Sequence, residues 1–364
     1  MNHAPTIIAV CIQARVPAIV TGEPGVGKSK STEATCAALG LPCEVFILSQ
    51  REPTDIGGVP MRSPEGLVWE CGPEIRRLAA VPRGVLFLDE LSLAPPAVQA
   101  PALRLLAEGR INDYDLRHIA FVAAANPPDM CSGWDLTPPL ANRLLHCEWS
   151  NDPKLWVQGQ LTGWPTPRVP LLPRGWDELV SAHRAIVASY IEHRPQCLHQ
   201  RPADLGKASG PWPSNRTWSM TERIAAACEA AALDEDVTLL SIAGCIGHGA
   251  ALEYLQWRRD LDLPDPEAVL ADPKSFKLPK RGDQQFAALA AIAAAVIRHL
   301  TPERWQACWR ILNAVAKAGA VDVGAASVRA ILVAAEGRIY KDLPPPVDEV
   351  RAYMPLLKAA GLMR

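Results

Sequence analysis

Gly22-Glu23-Pro24-Gly25-Val26-Gly27-Lys28-Ser29 fits the pattern G-x-x-x-x-G-K-[ST], a loop whose backbone amides cradle the phosphates of a nucleotide. The apolar run Ala18-Ile19-Val20 precedes it, and the stretch from Lys28 to Ala38 reads as a helix. This strand, loop and helix context is what the pattern requires. A phosphate chain is multiply anionic at neutral pH and needs close donors that do not titrate. Gly22, Gly25 and Gly27 let the backbone turn its N–H groups inward, and the helix starting near Lys28 adds its positive dipole end. Gly22, Glu23, Pro24, Gly25, Val26, Gly27, Lys28 and Ser29 are therefore the candidate cofactor-binding residues. Lys28 is expected to reach the β- and γ-phosphates, and the Ser29 hydroxyl to ligate Mg²⁺.

Outward from this loop, short β-like runs at 18–21, 44–48, 84–88, 119–124 and 146–149 alternate with helical segments at 28–39, 73–78, 96–108 and 137–144. The runs are almost continuously apolar, as strands buried on both faces are. The alternation predicts an α/β fold with a parallel sheet sandwiched by helices. One run, Val85-Leu86-Phe87-Leu88, ends in Asp89-Glu90. Ligands bind at the carboxyl edge of such sheets. Asp89 is thus a candidate metal residue with Ser29, and Glu90 a candidate general base that polarises water. Asn126 ends another buried run, where an amide can orient water or a γ-phosphate.

Between 150 and 176 the chain changes character. Asp152-Pro153, Gly163-Trp164-Pro165 and Pro170 to Pro173 read as an extended linker. Helical patterns follow at 176–193, 216–233 and 236–261, then at 284–300, 302–317, 325–336 and 347–360. The expected organisation is a nucleotide-binding core over 1–150, a linker over 151–175, a helical lid over 176–261 and a helical extension over 262–364.

The chain has 364 residues, of which 49% are hydrophobic and 21% charged, with a net charge of −2. A neutral balance gives no support to sequence-independent nucleic-acid binding. The ten cysteines show no C-x-x-C pair or metal spacing, which favours reduced thiols in the cytoplasm. Residues 1–5 carry no basic segment ahead of an apolar core. The most apolar long run, 286–297, is Ala-rich and shorter than the ~20 residues a membrane span needs, so it reads as a buried helix. Seven of the 11 tryptophans lie between Trp134 and Trp218; with little Lys or Arg between them, they are expected to pack the lid rather than stack on bases.

The order of these motifs resembles the AAA+ ATPases, and within them the MoxR-type and dynein-related group. The resemblance rests on Gly22 to Ser29, on Ser49-Gln50-Arg51-Glu52-Pro53-Thr54-Asp55-Ile56-Gly57-Gly58, on Leu88-Asp89-Glu90-Leu91, on Asn126-Pro127, on Asn142-Arg143 and on Pro213-Ser214-Asn215-Arg216. It covers roughly residues 1–260. It implies ATP and Mg²⁺ as cofactors and hydrolysis in a homo-hexameric ring. Arg143 would then act as an arginine finger on the neighbour's nucleotide, and Arg216 would approach the γ-phosphate in its own subunit. Glu90, Asn126, Arg143 and Arg216 are thus the candidate catalytic residues. A segment at 61–69 resembles the small hairpin that this group inserts before its acidic strand, and 110–118 lies where a second hairpin is expected.

Three functions fit this reading. The first is a ring ATPase that remodels or matures a protein client, with a von Willebrand A domain protein as partner. The second is the motor of a nucleic-acid-processing complex, which the neutral charge disfavours. The third is a nucleotide-gated binding module, which has less use for a general base such as Glu90.

Overall fold

The computed structural model describes residues 2–64, 66–127, 134–164, 166–261, 263–335, 341–344 and 350–359. The chain forms two compact units. One combines Met1–Trp176 with Leu198–Leu252, and the other combines Asp177–Cys197 with Glu253–Arg364.

The first unit opens with α1 (Ala4–Ala14), β1 (Ala18–Thr21), α2 (Lys28–Ala38), β2 (Cys43–Ile47) and α3 (Pro53–Gly57). A hairpin of β3 (Val59–Ser63) and β4 (Gly66–Glu70) leads to α4 (Pro73–Ala80), β5 (Gly84–Asp89) and α5 (Pro96–Glu108). A shorter hairpin, β6 (Arg110–Ile111) and β7 (Tyr114–Asp115), precedes β8 (Ile119–Ala125), α6 (Pro138–Ala141), β9 (Leu145–Glu148) and α7 (Pro153–Thr162). Both hairpins stand where the sequence suggests them.

Five strands pair in the order β2-β5-β8-β1-β9, all parallel. β5 and β8 are apolar and buried almost from end to end, as interior strands must be, whereas β2 and β9 at the edges are only partly buried. The chain leaves β1 toward the β2 edge and leaves β8 toward the β9 edge. These opposite departures put a switch point between β1 and β8, and the crevice beyond their carboxyl ends is where an open α/β sheet binds ligands. Phe46, Leu86, Leu88, Phe121 and Ala123 from the sheet pack with Leu105 of α5 and Leu140 of α6 in one core. The parallel sheet with flanking helices and a large helical remainder is the α/β fold expected of the sequence.

After α8 (Leu179–His193), which lies in the second unit, the chain returns to the first as α9 (Leu205–Ala208), α10 (Asn215–Ala230) and α11 (Glu235–Ile246). α10 packs on α1, and α11 packs on β9. The segment 236–261, read as one helix, is two. Gly247 has φ +84°, a left-handed conformation that ends α11, and α12 (His248–Arg259) starts afresh. The segment read as an extended linker contains α7, whose N-terminus is capped by the Asp152 carboxylate accepting from Lys154 N and Leu155 N. Of the tryptophans expected to pack the lid, Trp212 and Trp218 are buried, but Trp134, Trp156 and Trp164 are exposed.

The second unit is helical throughout its described residues: α8, α13 (Pro266–Ala271), α14 (Gly282–Arg298), α15 (Pro302–Lys317), α16 (Val321–Ala334) and α17 (Met354–Ala359). The Ala-rich run in α14 is buried, and the helix packs on α8 and α16. Small side chains let those helices approach closely, which suits a core helix. Trp305 and Trp309 meet edge to face at 5.6 Å, and Tyr353 donates to Leu312 O at 2.7 Å. Residues 345–349 and 360, part of the helix expected over 347–360, lie outside the described residues. No helix among the described residues is long and apolar enough to cross a membrane.

Candidate functional site

The Gly22 to Ser29 loop joins β1 to α2 at the switch point. Gly25 and Gly27 have φ of +79° and +93°, which a side chain would strain, and Gly27 is the residue before α2. A β-carbon at Gly22 would lie 2.8 Å from Trp149 Cβ, so the residue after β9 backs the loop and leaves room only for hydrogen.

Lys28 opens α2 and is buried. Its ammonium donates to Gly22 O at 2.6 Å, to Glu23 O at 2.8 Å and to Asn126 Oδ1 at 3.0 Å. Burial lowers the Lys28 pKa below its ordinary value, and the Asp89 charge opposes that shift. The next residue, Ser29, donates from Oγ to Asp89 Oδ2 at 2.7 Å. The other Asp89 oxygen accepts the Glu90 N–H at 2.9 Å. Loop, acidic strand end and β8 terminus thus meet through hydrogen bonds, although Lys28 and Asp89 are 61 positions apart in sequence.

Glu90 has φ +57°, rare for a residue with a side chain and typical of functional sites. The turn swings its carboxylate out of the strand, where it accepts a hydrogen bond from the Ser49 hydroxyl, just past β2. The Asn126 N–H donates to Ser92 Oγ at 3.2 Å, so its backbone is tied to the turn after β5 while its side chain holds Lys28. Ser49, Ser92 and Trp149 acquire these places only because β2, β5, β8, β1 and β9 are neighbours in the sheet. Ser49 opens a segment on which the family resemblance rests, whereas no local pattern marks Ser92 or Trp149.

Arg143 and Arg216 form a second cluster. Asn142, at the end of α6, is 5% exposed. Its Oδ1 accepts from Ser214 Oγ at 2.8 Å and from Arg216 Nη1 at 3.3 Å, and its Nδ2 lies 3.4 Å from Trp212 O. Ser214 caps α10, its Oγ accepting from Thr217 N. Arg143 donates from Nη1 to Pro139 O at 2.7 Å, while its buried Nε has no partner. Desolvation, and then the charge of Arg216, lowers the Arg143 pKa. No hydrogen bond or ion pair among the described residues links either arginine to Lys28, Ser29 or Asp89.

Beside Asn126 the first unit holds a cleft of about 670 Å³, within the usual range for a small-molecule site. Thr21, Asn126, Cys147 and Glu148 line it from the strand ends, and Pro211 and His248 from the helical side. His146 also borders it; burial lowers its pKa, so the neutral ring is favoured.

Among the described residues no group of three or more His, Cys, Asp or Glu side chains could hold a metal alone. Ser29 Oγ and Asp89 Oδ2 are two hard oxygens side by side. That is the partial oxygen shell Mg²⁺ takes when phosphate oxygens and water supply the rest.

Residues 17–144 match the family of AAA domains of the dynein-related subfamily. The matched segment runs from just before β1 to just after α6 and contains every candidate site residue except Arg216. Domains of this family bind nucleotides. No curated protein sequence matches the chain. Similar solved structures include a candidate ATPase from Cytophaga hutchinsonii, at TM-score 0.41 and 14% identity over 66% of this chain and 79% of that one. A full-length MCM homolog from Methanopyrus kandleri aligns at TM-score 0.38 and 18% identity, over 70% of this chain and 53% of that one.

Proposed function

We propose that this chain is an ATPase that works as a subunit of a homo-hexameric ring and uses hydrolysis to remodel or mature a protein client. The observation that carries the proposal is the network in which Lys28 meets Asn126 and Ser29 meets Asp89, at the carboxyl edge of the sheet. These residue types are the ones phosphoryl transfer uses to position charge and water. The match of residues 17–144 to AAA domains supports the same reading.

In this reading the loop amides from Gly22 to Ser29 take the phosphates, and Lys28 exchanges carbonyl oxygens for phosphate oxygens. Ser29 and Asp89 would hold Mg²⁺, which neutralises charge on the phosphates. Glu90 accepts the proton of the attacking water once it leaves Ser49, and Asn126 orients that water or the γ-phosphate. Arg143 stabilises charge on the neighbouring subunit's nucleotide, and Arg216 senses the γ-phosphate in its own. The client role follows the MoxR-like resemblance, with a von Willebrand A domain protein as partner, in a reducing cytoplasm.

Steady-state ATP turnover of Lys28→Ala and Glu90→Gln tests the proposal. General-base loss costs about 10²–10⁴-fold in rate, so wild-type turnover in either variant would overturn it.

A further inference from the structure

Asn142 has no role in the function above, yet it holds Arg216 and directly precedes Arg143 in the chain. It is buried, and one oxygen, Oδ1, serves two donors: the Ser214 hydroxyl that caps α10 and the Arg216 guanidinium. Arg216 itself is exposed, and among the described residues it bonds to Asn142. Arg143 follows Asn142 directly in the chain. Among the described residues it donates to Pro139 O, with its Nε unpartnered. Burial lowers the Arg143 pKa, and the charge of Arg216 lowers it further.

We propose that Asn142 is a positioning residue that holds Arg216 by a weak, releasable bond and competes with phosphate for it. The inference rests on the ATPase reading and adds a regulatory contact to that site.

The chemistry of the acceptor carries the argument. A neutral amide oxygen at 3.3 Å makes a long, weak bond to a guanidinium. A phosphate oxygen carries negative charge itself, so its bond to the guanidinium pairs two ions and can be bidentate, which a neutral amide oxygen cannot match. Arg216 therefore leaves Asn142 when a terminal phosphate is within reach. A carboxylate at position 142 would hold Arg216 as an ion pair and end the competition. When Arg216 departs, Asn142 keeps Ser214 and the α10 cap, so the lid helix stays anchored while the charge beside Arg143 moves away.

The test compares ADP with ATPγS, which differ in the terminal phosphoryl group, by direct binding titration of the full chain. In Asn142→Asp, ATPγS affinity is expected to fall about tenfold while ADP affinity stays within about twofold, since only the terminal phosphate competes for Arg216. Adding Arg216→Ala to Asn142→Asp should cause no further loss, because both act through one contact. Asn142→Ala, which releases Arg216, should leave the ATPγS preference equal to or above wild type. Arg216 is exposed, so Arg216→Ala provides a variant whose folding is not at risk; it should lose ATPγS affinity but not ADP affinity.

Equal weakening of both ligands in Asn142→Asp would mean a structural role and would overturn the inference. An unchanged preference in Asn142→Asp would overturn it too, leaving the ATPase reading intact, whereas an unchanged preference in Arg216→Ala would overturn it together with the γ-phosphate role given to Arg216 above. Wild-type protein that binds neither ligand would overturn both.

Discussion

Lys28→Met separates what Lys28 does for the fold from what it does for phosphate. The side chain is 8% exposed, and three oxygens surround its ammonium at 2.6 to 3.0 Å. Even so, burial holds its pKa below 10.5, so the charged form is less favourable in the fold than in water. Methionine keeps the apolar stem and deletes the charge. Two effects then oppose each other. Relief of desolvation stabilises the variant, while the buried Gly22 carbonyl loses its donor at a cost of about 1–2 kcal/mol. The net change is expected to lie within about 1 kcal/mol of wild type. That is well short of the ~3–5 kcal/mol lost when a buried ion pair is broken.

Nucleotide binding has no such compensation. A charge-assisted bond to phosphate contributes about 1.5–3 kcal/mol, so Kd should rise about 10- to 150-fold. Titration with a fluorescent ATP analogue measures this, and the urea midpoint without nucleotide measures stability. The pH dependence has a definite sign. Because the folded pKa lies below 10.5, the unfolded chain binds more protons between the two values, and wild type gains stability as pH rises through that window. Lys28→Met has no such group, so the comparison should move in favour of wild type toward pH 10.5. An affinity within twofold of wild type, or a stability loss above about 3 kcal/mol, would refute the reasoning.

Mixing Arg143→Ala with Lys28→Ala subunits should restore part of the ATPase activity, because each variant spoils a different side of a shared site; no recovery at any ratio would rule out action in trans. Cys43 is the one cysteine not buried among those described, and a hydrogen bond with Cys36 lowers its pKa below 9.0. Peptide mass spectrometry after brief native alkylation should find Cys43 modified first among these nine, and earlier labelling of Cys245 would contradict the packing. Gly247→Ala imposes φ +84° on a side chain and puts its Cβ 3.2 Å from Pro211 O, at an expected cost of about 1–2 kcal/mol in urea unfolding; a neutral result would mean the break between α11 and α12 is relaxed elsewhere.

Most of the α/β core was legible from local pattern. The apolar runs ending at Thr21, Asp89 and Ala125 are buried strands, and 96–108 is a helix with the bounds read from sequence. Their periods and flanking glycines and prolines act over a few residues, which is why they can be read in one dimension. The helical half was less legible. A helix-favouring composition runs straight through Gly247, and only the left-handed backbone there shows that it breaks. α1 gave no sequence signal strong enough to single it out, because its apolar surround is set by what it packs on. α7 was hidden by the prolines around it, one of which simply occupies its first turn.

By itself the amino-acid sequence determined the phosphate loop, the acidic strand end and the order in which the candidate residues occur. These depend on residue type at fixed spacing: glycines where φ must be positive, an ammonium and a hydroxyl at the head of a helix, carboxylates after an apolar run. Only the tertiary structure decided which of them meet. Strand order brings Asn126 to Lys28 and Asp89 to Ser29, and sets Ser49 on Glu90. It also gathers Asn142, Ser214 and Arg216 into a cluster with Arg143 beside it, separate from the loop that dominates the sequence. Spacing along a chain sets what chemistry is available. Parallel crossover connections, each tens of residues long, set where that chemistry converges.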